Sequence, residues 1–247
     1  MNSEVKEFLN KISCMLFPED ITCIFCGNEV NESLFCLCDA CEKEIFDNQT
    51  RCSKCDNPIH NESKFCQICS QNSREFDAAR AKFIYKDKIA AKIKQFKYEN
   101  KKFYAKAFAA LMLVSFLELK NLGYEFDFIV PIPLHEEKLK ERGFNQSELI
   151  ANEFSKLVDI PVETDVVKRV VNTPSQTNFS KIEREANMKN AFKVVNKKFC
   201  KNKSILILDD IITTGATAES LAKELKKAGA ASVCAIALAR TEIKEGV

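Results

Sequence analysis

Ser204-Ile205-Leu206-Ile207-Leu208-Asp209-Asp210-Ile211-Ile212-Thr213-Thr214-Gly215-Ala216-Thr217 is the stretch on which the fold turns. Its short apolar run reads as a parallel strand buried on both faces. Two adjacent acids follow at the carboxyl end of that strand, where ligands bind in open α/β sheets. A loop of small and hydroxylated residues comes next. Ala218 to Lys227 has strong helical propensity, and Ala228-Gly229-Ala230 supplies a stop. Val233 to Leu238 reads as another apolar strand. Strand, acids, Thr-Thr-Gly loop and helix together make a phosphate cradle. Backbone amides and threonine hydroxyls surround the phosphate, and the helix dipole favours its charge. An ordinary βα unit with an acidic strand end shares the pattern but not its length.

Upstream, Phe128-Ile129-Val130-Pro131-Ile132-Pro133-Leu134-His135 leads to Lys138 and then to Arg142-Gly143-Phe144-Asn145-Gln146. Arg142-Gly143-Phe144 reads either as a ligand-facing segment or as a helix-capping turn with a buried aromatic. From Thr173 to Asn187 the chain is polar and starts without regular periodicity, as a flexible hood over a site does.

Over 13 residues the stretch ending at Thr217 resembles the phosphoribosyl pyrophosphate motif of type I phosphoribosyltransferases. The Pro-x-Pro-Leu-His strand end and Arg-Gly-Phe-Asn-Gln resemble the ComF family of phosphoribosyltransferase-like competence proteins. Gln176, Arg184, Asn187, Ala191 and Phe192 extend that resemblance, which spans roughly Cys23 to Arg240. It implies an α/β type I phosphoribosyltransferase fold, with a central parallel sheet flanked by helices and a small amino-terminal double zinc ribbon. It further implies that Asp209 and Asp210 hold the ribose 2′ and 3′ hydroxyls as the catalytic pair. Thr213, Thr214, Gly215, Ala216 and Thr217 would enclose the 5′-phosphate. Pro133 and His135 would line the pyrophosphate side. There Lys138 and Arg142 offset the diphosphate charge alongside Mg²⁺, and Arg184 on the hood is a further ligand candidate. Glu136 and Glu137 stand where family members often carry basic or neutral residues.

Twelve cysteines need a separate account. Eight form four Cys-x-x-Cys pairs, Cys23/Cys26, Cys38/Cys41, Cys52/Cys55 and Cys66/Cys69, within one 47-residue stretch. A tight turn puts two thiolates on one ion, and a second pair completes the tetrahedron of a structural zinc. A disulfide framework suits small secreted domains and fits this chain poorly. The sequential reading gives Cys23, Cys26, Cys38 and Cys41 one zinc and Cys52, Cys55, Cys66 and Cys69 the other. An interleaved cross-brace is the alternative, and the sequential loops cost less entropy to close. Cys36 is a spare ligand beside Cys38, and His60 reads as a surface residue. Cys200 and Cys234 read as packing residues, and Cys14 as part of an apolar leader helix. The expected division is 1–75 for leader helix and double zinc ribbon, and 76–247 for the transferase-like part.

Charge divides the chain in nearly the same place. From Asp20 to Glu75 there are ten acids against five Lys/Arg, a surface that repels phosphate and suits protein contact. Phe76 to Lys106 reverses this, with ten Lys/Arg against three acids. Ile89, Ile93 and Phe96 follow helical spacing there, flanked by lysines. Lys88, Lys92, Lys94, Lys97, Tyr98, Lys101 and Lys102 could serve a single-stranded nucleic acid as cations and stacking platforms. A solvated lysine face on an amphipathic helix reads equally from the same residues.

A formal net charge of +2 announces no whole-protein affinity for nucleic acid. The uncharged run Ala107 to Leu117 is about half of the ~20 residues that span a bilayer. The opening Met1-Asn2-Ser3-Glu4-Val5 is not a secretory leader, so a cytoplasmic location is expected. Three functions remain open. One is a ComF-like competence protein that handles internalised single-stranded DNA and binds phosphoribosyl pyrophosphate or a related ligand with Mg²⁺. Another is a transferase that joins a nitrogen nucleophile to the ribose and releases pyrophosphate. The third is a ligand-sensing adaptor that meets other proteins through the zinc module.

Overall fold

A computed structural model describes residues 22–30, 37–45, 49–59, 63–171 and 191–243. The leader helix with Cys14, together with Cys36, His60 and the hood residues Gln176, Arg184 and Asn187, lies outside the described residues. The centre is a parallel sheet built around β6 (Ser204–Ile212) and β7 (Ser232–Arg240), with β3 (Phe128–Pro131) beyond β6. On the other side of β7 lie β1 (Ala78–Arg80), at Cys234–Ile236, and β2 (Phe83–Ile84), at Ala239–Arg240. The β6–β7 register runs from Ser204↔Ser232 to Ile212↔Arg240. The strand therefore continues through both acids instead of stopping ahead of them, because β7 stays paired beside it.

Successive strand residues face opposite layers. Leu206, Leu208, Cys234, Ile236 and Leu238 join one core with α3 (Asp87–Tyr98), α4 (Tyr104–Asn121) and α6 (Gln146–Val158). Helix α4 is apolar nearly all round because it lies between β7 and α6. Phe96 meets Phe108 edge-on at 5.4 Å, and Phe116 meets Phe154 at 5.5 Å. The other core places Ile205, Ile207, Val233, Ala235 and Ala237 against α8 (Ala216–Lys227) and β5 (Phe192–Val194). Helix α8 starts two residues ahead of the expected Ala218, since Gly215 takes φ +83° and turns the chain straight into it. The antiparallel pair β4 (Val167–Arg169) and β5 flanks the hood segment. Short helices complete the described elements: α1 (Asp39–Ile45), α2 (Gln67–Gln71), α5 (Glu136–Arg142) and α7 (Lys197–Cys200).

Each cysteine cluster is built into one of the two cores. Cys23, Phe25, Leu37 and Cys41 share the first with Ile89 and Phe96, and Cys52, Cys55, Ile59 and Cys66 share the second with Phe76 and Ala79. Hydrogen bonds tie the second cluster to the sheet. Arg240 at the end of β7, 1% exposed, donates to the Cys55 carbonyl. The amide of Ala79 donates to the Lys54 carbonyl at 2.9 Å, and that of Ala81 to Asp56 Oδ2 at 2.9 Å. Cys200 and Cys234 are both buried packing residues, as read. No helix among the described residues is long and apolar enough to cross a membrane.

Candidate functional site

The acids of β6 sit where the sheet opens toward α3, α5 and α6. Asp209 Oδ1 accepts from Ser147 Oγ at 2.9 Å and from the Asp210 amide at 2.9 Å. Burial and the neighbouring Asp210 charge push the Asp209 carboxyl up to about 7. Asp210, 7% exposed, is ion-paired with Lys97, the penultimate residue of α3. Burial opposes the Lys97 charge, and the Asp210 and Asp209 carboxylates more than offset it, leaving the lysine above its ordinary value.

Thr213 and Thr214 then turn the chain toward α8. The Ala216 amide donates to Thr214 Oγ1 at 3.3 Å, and Gly215 at the N-cap offers no side chain to cover the helix start. Thr213, Thr214, Gly215, Ala216 and Thr217 thus surround one helix N-terminus next to the acid pair. The turn is braced from outside. Arg74 donates to the Thr214 carbonyl at 3.4 Å, pairs with Glu219 at 3.9 Å and lies 5.7 Å over the Phe76 ring. The same Phe76 ring is what a Cβ at Gly215 would meet, at 3.8 Å.

Beyond β3, Pro133 is half-buried and His135 caps α5, its Nδ1 accepting from the Glu137 amide at 3.4 Å. Glu136 and Glu137 fill the first turn of α5, where the helix dipole favours acids. This accounts for two acids at the start of α5. Lys138 follows on the same helix, and desolvation together with Arg169 and Arg142 lowers its pKa. The capping reading of Arg142-Gly143-Phe144 holds for Gly143 and Phe144. Gly143 ends α5 at φ +75°, Phe144 packs 5.9 Å from Phe96, and Asn145 caps α6 while holding the Ile132 carbonyl at 3.1 Å. Arg142 faces the site side, bonded to Gln146 Oε1 at 2.8 Å and lying 5.2 Å over the Tyr98 ring.

Ser147, Arg169 and Arg74 belong to this site, and sequence reasoning missed them. Arg169, on β4, is desolvated enough to lower its pKa against the pull of Asp209. Arg142, Lys138 and Arg169 act on one another electrostatically, and Arg169 also on Asp209, which sets cations beside the acid pair as suits a ligand that carries sugar hydroxyls and several phosphoryl charges.

The candidate nucleic-acid residues separate. Helix α3 buries Ile89, Ile93 and Phe96, as their spacing predicts. Lys97 is not on its solvated face, since it is paired with the buried Asp210. Lys88 pairs with Glu44 and approaches Cys41 Sγ at 3.6 Å, and Lys92 donates to Tyr104 Oη at 3.1 Å. Lys94 and Lys101 are exposed, and Lys102 lies 4.9 Å over the Phe144 ring. Tyr98 and Phe103 are both 67% exposed.

The cysteines group sequentially: Cys23, Cys26, Cys38 and Cys41 in one tetrad, Cys52, Cys55, Cys66 and Cys69 in the other, with all sulfurs of each within 4.8 Å of one another. The two tetrads repeat one design. A hairpin knuckle carries the first pair, closed by Gly27 N→Cys23 O or Asp56 N→Cys52 O at 2.8 Å, and the second pair sits at the start of α1 or α2. Cys26 and Cys38 sulfurs lie 3.6 Å apart and Cys55 and Cys66 sulfurs 3.7 Å, close to the ~3.8 Å edge of a zinc–thiolate tetrahedron. Hydrogen bonding from Cys52 draws the Cys55 thiol down to about 6, and bonding from Cys55 draws Cys66 down to about 6, while bonding from Cys52 and Cys55 pushes the Cys69 thiol up. Both tetrads can bind zinc.

The sequence profile of the phosphoribosyl transferase domain family matches residues 117–246. The chain is 28% identical over 221 residues to competence protein F of Haemophilus influenzae, covering 88% of this chain and 96% of that protein. It is 28% identical over 207 residues to the DNA utilization protein YhgH of Escherichia coli, covering 83% and 90%. It is 26% identical over 258 residues to competence protein ComFC of Bacillus subtilis, covering 98% and 100%.

Proposed function

The chain belongs to the phosphoribosyl transferase domain family, and from that premise we propose that it is a cytoplasmic ComF-like competence protein. In this reading it handles single-stranded DNA and binds phosphoribosyl pyrophosphate, or a related ribose 5-phosphate ligand, with Mg²⁺. The carrying observation is the Asp209–Asp210 pair at the strand end, set directly beside the Thr213–Thr217 turn. Asp209 and Asp210 accept the ribose hydroxyls, and the turn's amides and hydroxyls hold the 5′-phosphate. Lys138 and Arg142 face the diphosphate, to whose charge neutralisation the bound magnesium ion contributes. Arg184 on the hood completes the ligand set. Residues 1–75 supply the metal clusters and residues 76–247 the ligand site. The exposed group Lys94, Tyr98, Lys101 and Phe103 is the DNA platform, combining cations with stacking faces. Turnover is the second reading. It is favoured by the Asp209 carboxyl, which at about 7 is suited to proton transfer near neutral pH.

The test is single-stranded DNA binding by the zinc-loaded protein across a salt series. Two or three phosphate contacts predict a log–log slope of about −2, reduced by about one unit or more in a Lys94→Glu/Lys101→Glu variant. A slope near zero, or one unchanged in the variant, removes the DNA platform. Pyrophosphate release with nitrogen acceptors would establish turnover instead.

A further inference from the structure

Lys97 is placed by the fold where its sequence neighbours are not. Tyr98 is 67% exposed, yet the Lys97 side chain is only 18% exposed and reaches Asp210, itself 9% exposed. A lysine rarely gives up solvent without a paired acid. The charged or titratable groups facing this pair come from every surrounding element. They are Asp209 and Asp210 on β6, Arg142 on α5, Arg169 on β4, which acts on Asp209, and Tyr85 beyond β2, with Lys138 one step further out beside Arg142 and Arg169. Ser147 on α6 adds a hydroxyl donor to Asp209. Two adjacent carboxylates in so enclosed a place repel each other, and one of them takes up a proton unless cations hold both charges. Lys97 is ion-paired with one acid of the pair, Asp210.

We propose that Lys97 is a positioning residue of the ribose site, whose ion pair with Asp210 holds the acid pair in the doubly charged form that accepts two sugar hydroxyls. This rests on the ribose-binding reading above and deepens it. Lys97 acts through the carboxylates and does not bind the sugar. Its removal therefore moves the pH at which the site becomes competent and leaves the competent site's affinity intact. The direction follows from charge. Lys97 lowers the Asp209 proton affinity, so without it Asp209 stays protonated to higher pH.

The test is calorimetric titration of ribose 5-phosphate into the zinc-loaded full chain between about pH 6.5 and pH 9.5, above the ~6 at which the sugar phosphate itself ionises. Wild type, Lys97→Met and Lys97→Arg are compared, each checked by thermal melting. In wild type the affinity climbs through neutral pH to a plateau. In Lys97→Met the midpoint moves up by at least about one unit, a roughly fivefold or greater loss at pH 7 that closes by the alkaline end. Lys97→Arg keeps the wild-type midpoint and decides the matter alone if the methionine variant does not fold. Superimposed wild-type and Lys97→Met profiles, a shifted Lys97→Arg midpoint, or a Lys97→Met loss that persists at high pH overturn the proposal and leave the ribose site standing. Absence of ribose 5-phosphate binding by wild type at every pH overturns both.

Discussion

Replacing Asp209 with asparagine should stabilise the ligand-free protein, in proportion to how strongly the fold resists the charge. The substitution keeps an oxygen that can accept from Ser147 Oγ and the Asp210 amide, both at 2.9 Å. What it removes is a carboxylate whose pKa stands at about 7 against an ordinary 3.8. A folded pKa raised above the unfolded one leaves stability complete below the unfolded value and loses it as pH rises through the folded value. At about 1.4 kcal/mol per unit, the charge therefore costs about 4 kcal/mol above neutrality, about 2 kcal/mol at pH 5.5 and nothing below about pH 4. For a chain of this size each kcal/mol moves Tm by roughly 2–4 °C. Asp209→Asn should accordingly melt higher than wild type by about 8 °C or more at pH 8, with that margin roughly halved at pH 5.5. Calorimetric melts of both proteins in matched zinc-containing buffers measure it. A variant less stable than wild type at pH 8, or a margin that grows on acidification, refutes the reasoning.

Other perturbations follow from the same structure. Chelating zinc should lower Tm by more than about 10 °C and broaden the transition, because the tetrads sit inside both cores; the check is a melt with and without chelator, reversed by added zinc. Gly215→Ala should cost about 1 kcal/mol through its φ of +83°, since the new Cβ meets only the Phe76 ring at 3.8 Å; chemical denaturation reads this directly. Phe108→Ala should cost about 3–5 kcal/mol by emptying the space between Phe96 and Tyr104, again seen in the denaturation midpoint.

What could be read from sequence was what lies together along the chain. Asp209 to Thr217 is one continuous segment whose strand, acids, turn and helix follow one another, so its order reveals its geometry. The tetrads were legible because Cys-x-x-Cys spacing is itself the geometry of half a site, and the sequential grouping follows from local loops. The family resemblance drawn from the Arg142–Gln146 and Asp209–Thr217 motifs is matched by the competence protein relatives across most of the chain.

Residues brought in by register were harder to see. Lys97 stands four positions beyond Ile93, on the face that α3 turns inward, and that spacing was a usable signal against a surface role. Ser147 stands two positions after the Asn145 cap, and its first-turn position aims its hydroxyl at β6. Arg169 is one of two adjacent basic residues between two valine pairs, and nothing in that local pattern says which of them turns toward Asp209. Hydrogen bonds also cross the change of charge between Glu75 and Phe76. Arg240 reaches the Cys55 carbonyl, and Ile243 and Asn57 exchange two hydrogen bonds across 186 positions. Those bonds make the second cluster part of the sheet's edge.

The central claim is that Asp209, Asp210 and the Thr213–Thr217 turn form a site for a ribose bearing a 5′-phosphate. Its most direct test is calorimetric titration of phosphoribosyl pyrophosphate with Mg²⁺ into the zinc-loaded protein, alongside an Asp209→Ala/Asp210→Ala variant that melts as a folded protein. The account predicts saturable binding by the wild type at pH 8 and a loss of at least about a hundredfold in the variant, two charge-assisted hydrogen-bonding groups being removed. Equal binding by both proteins, or none by the wild type, would contradict it.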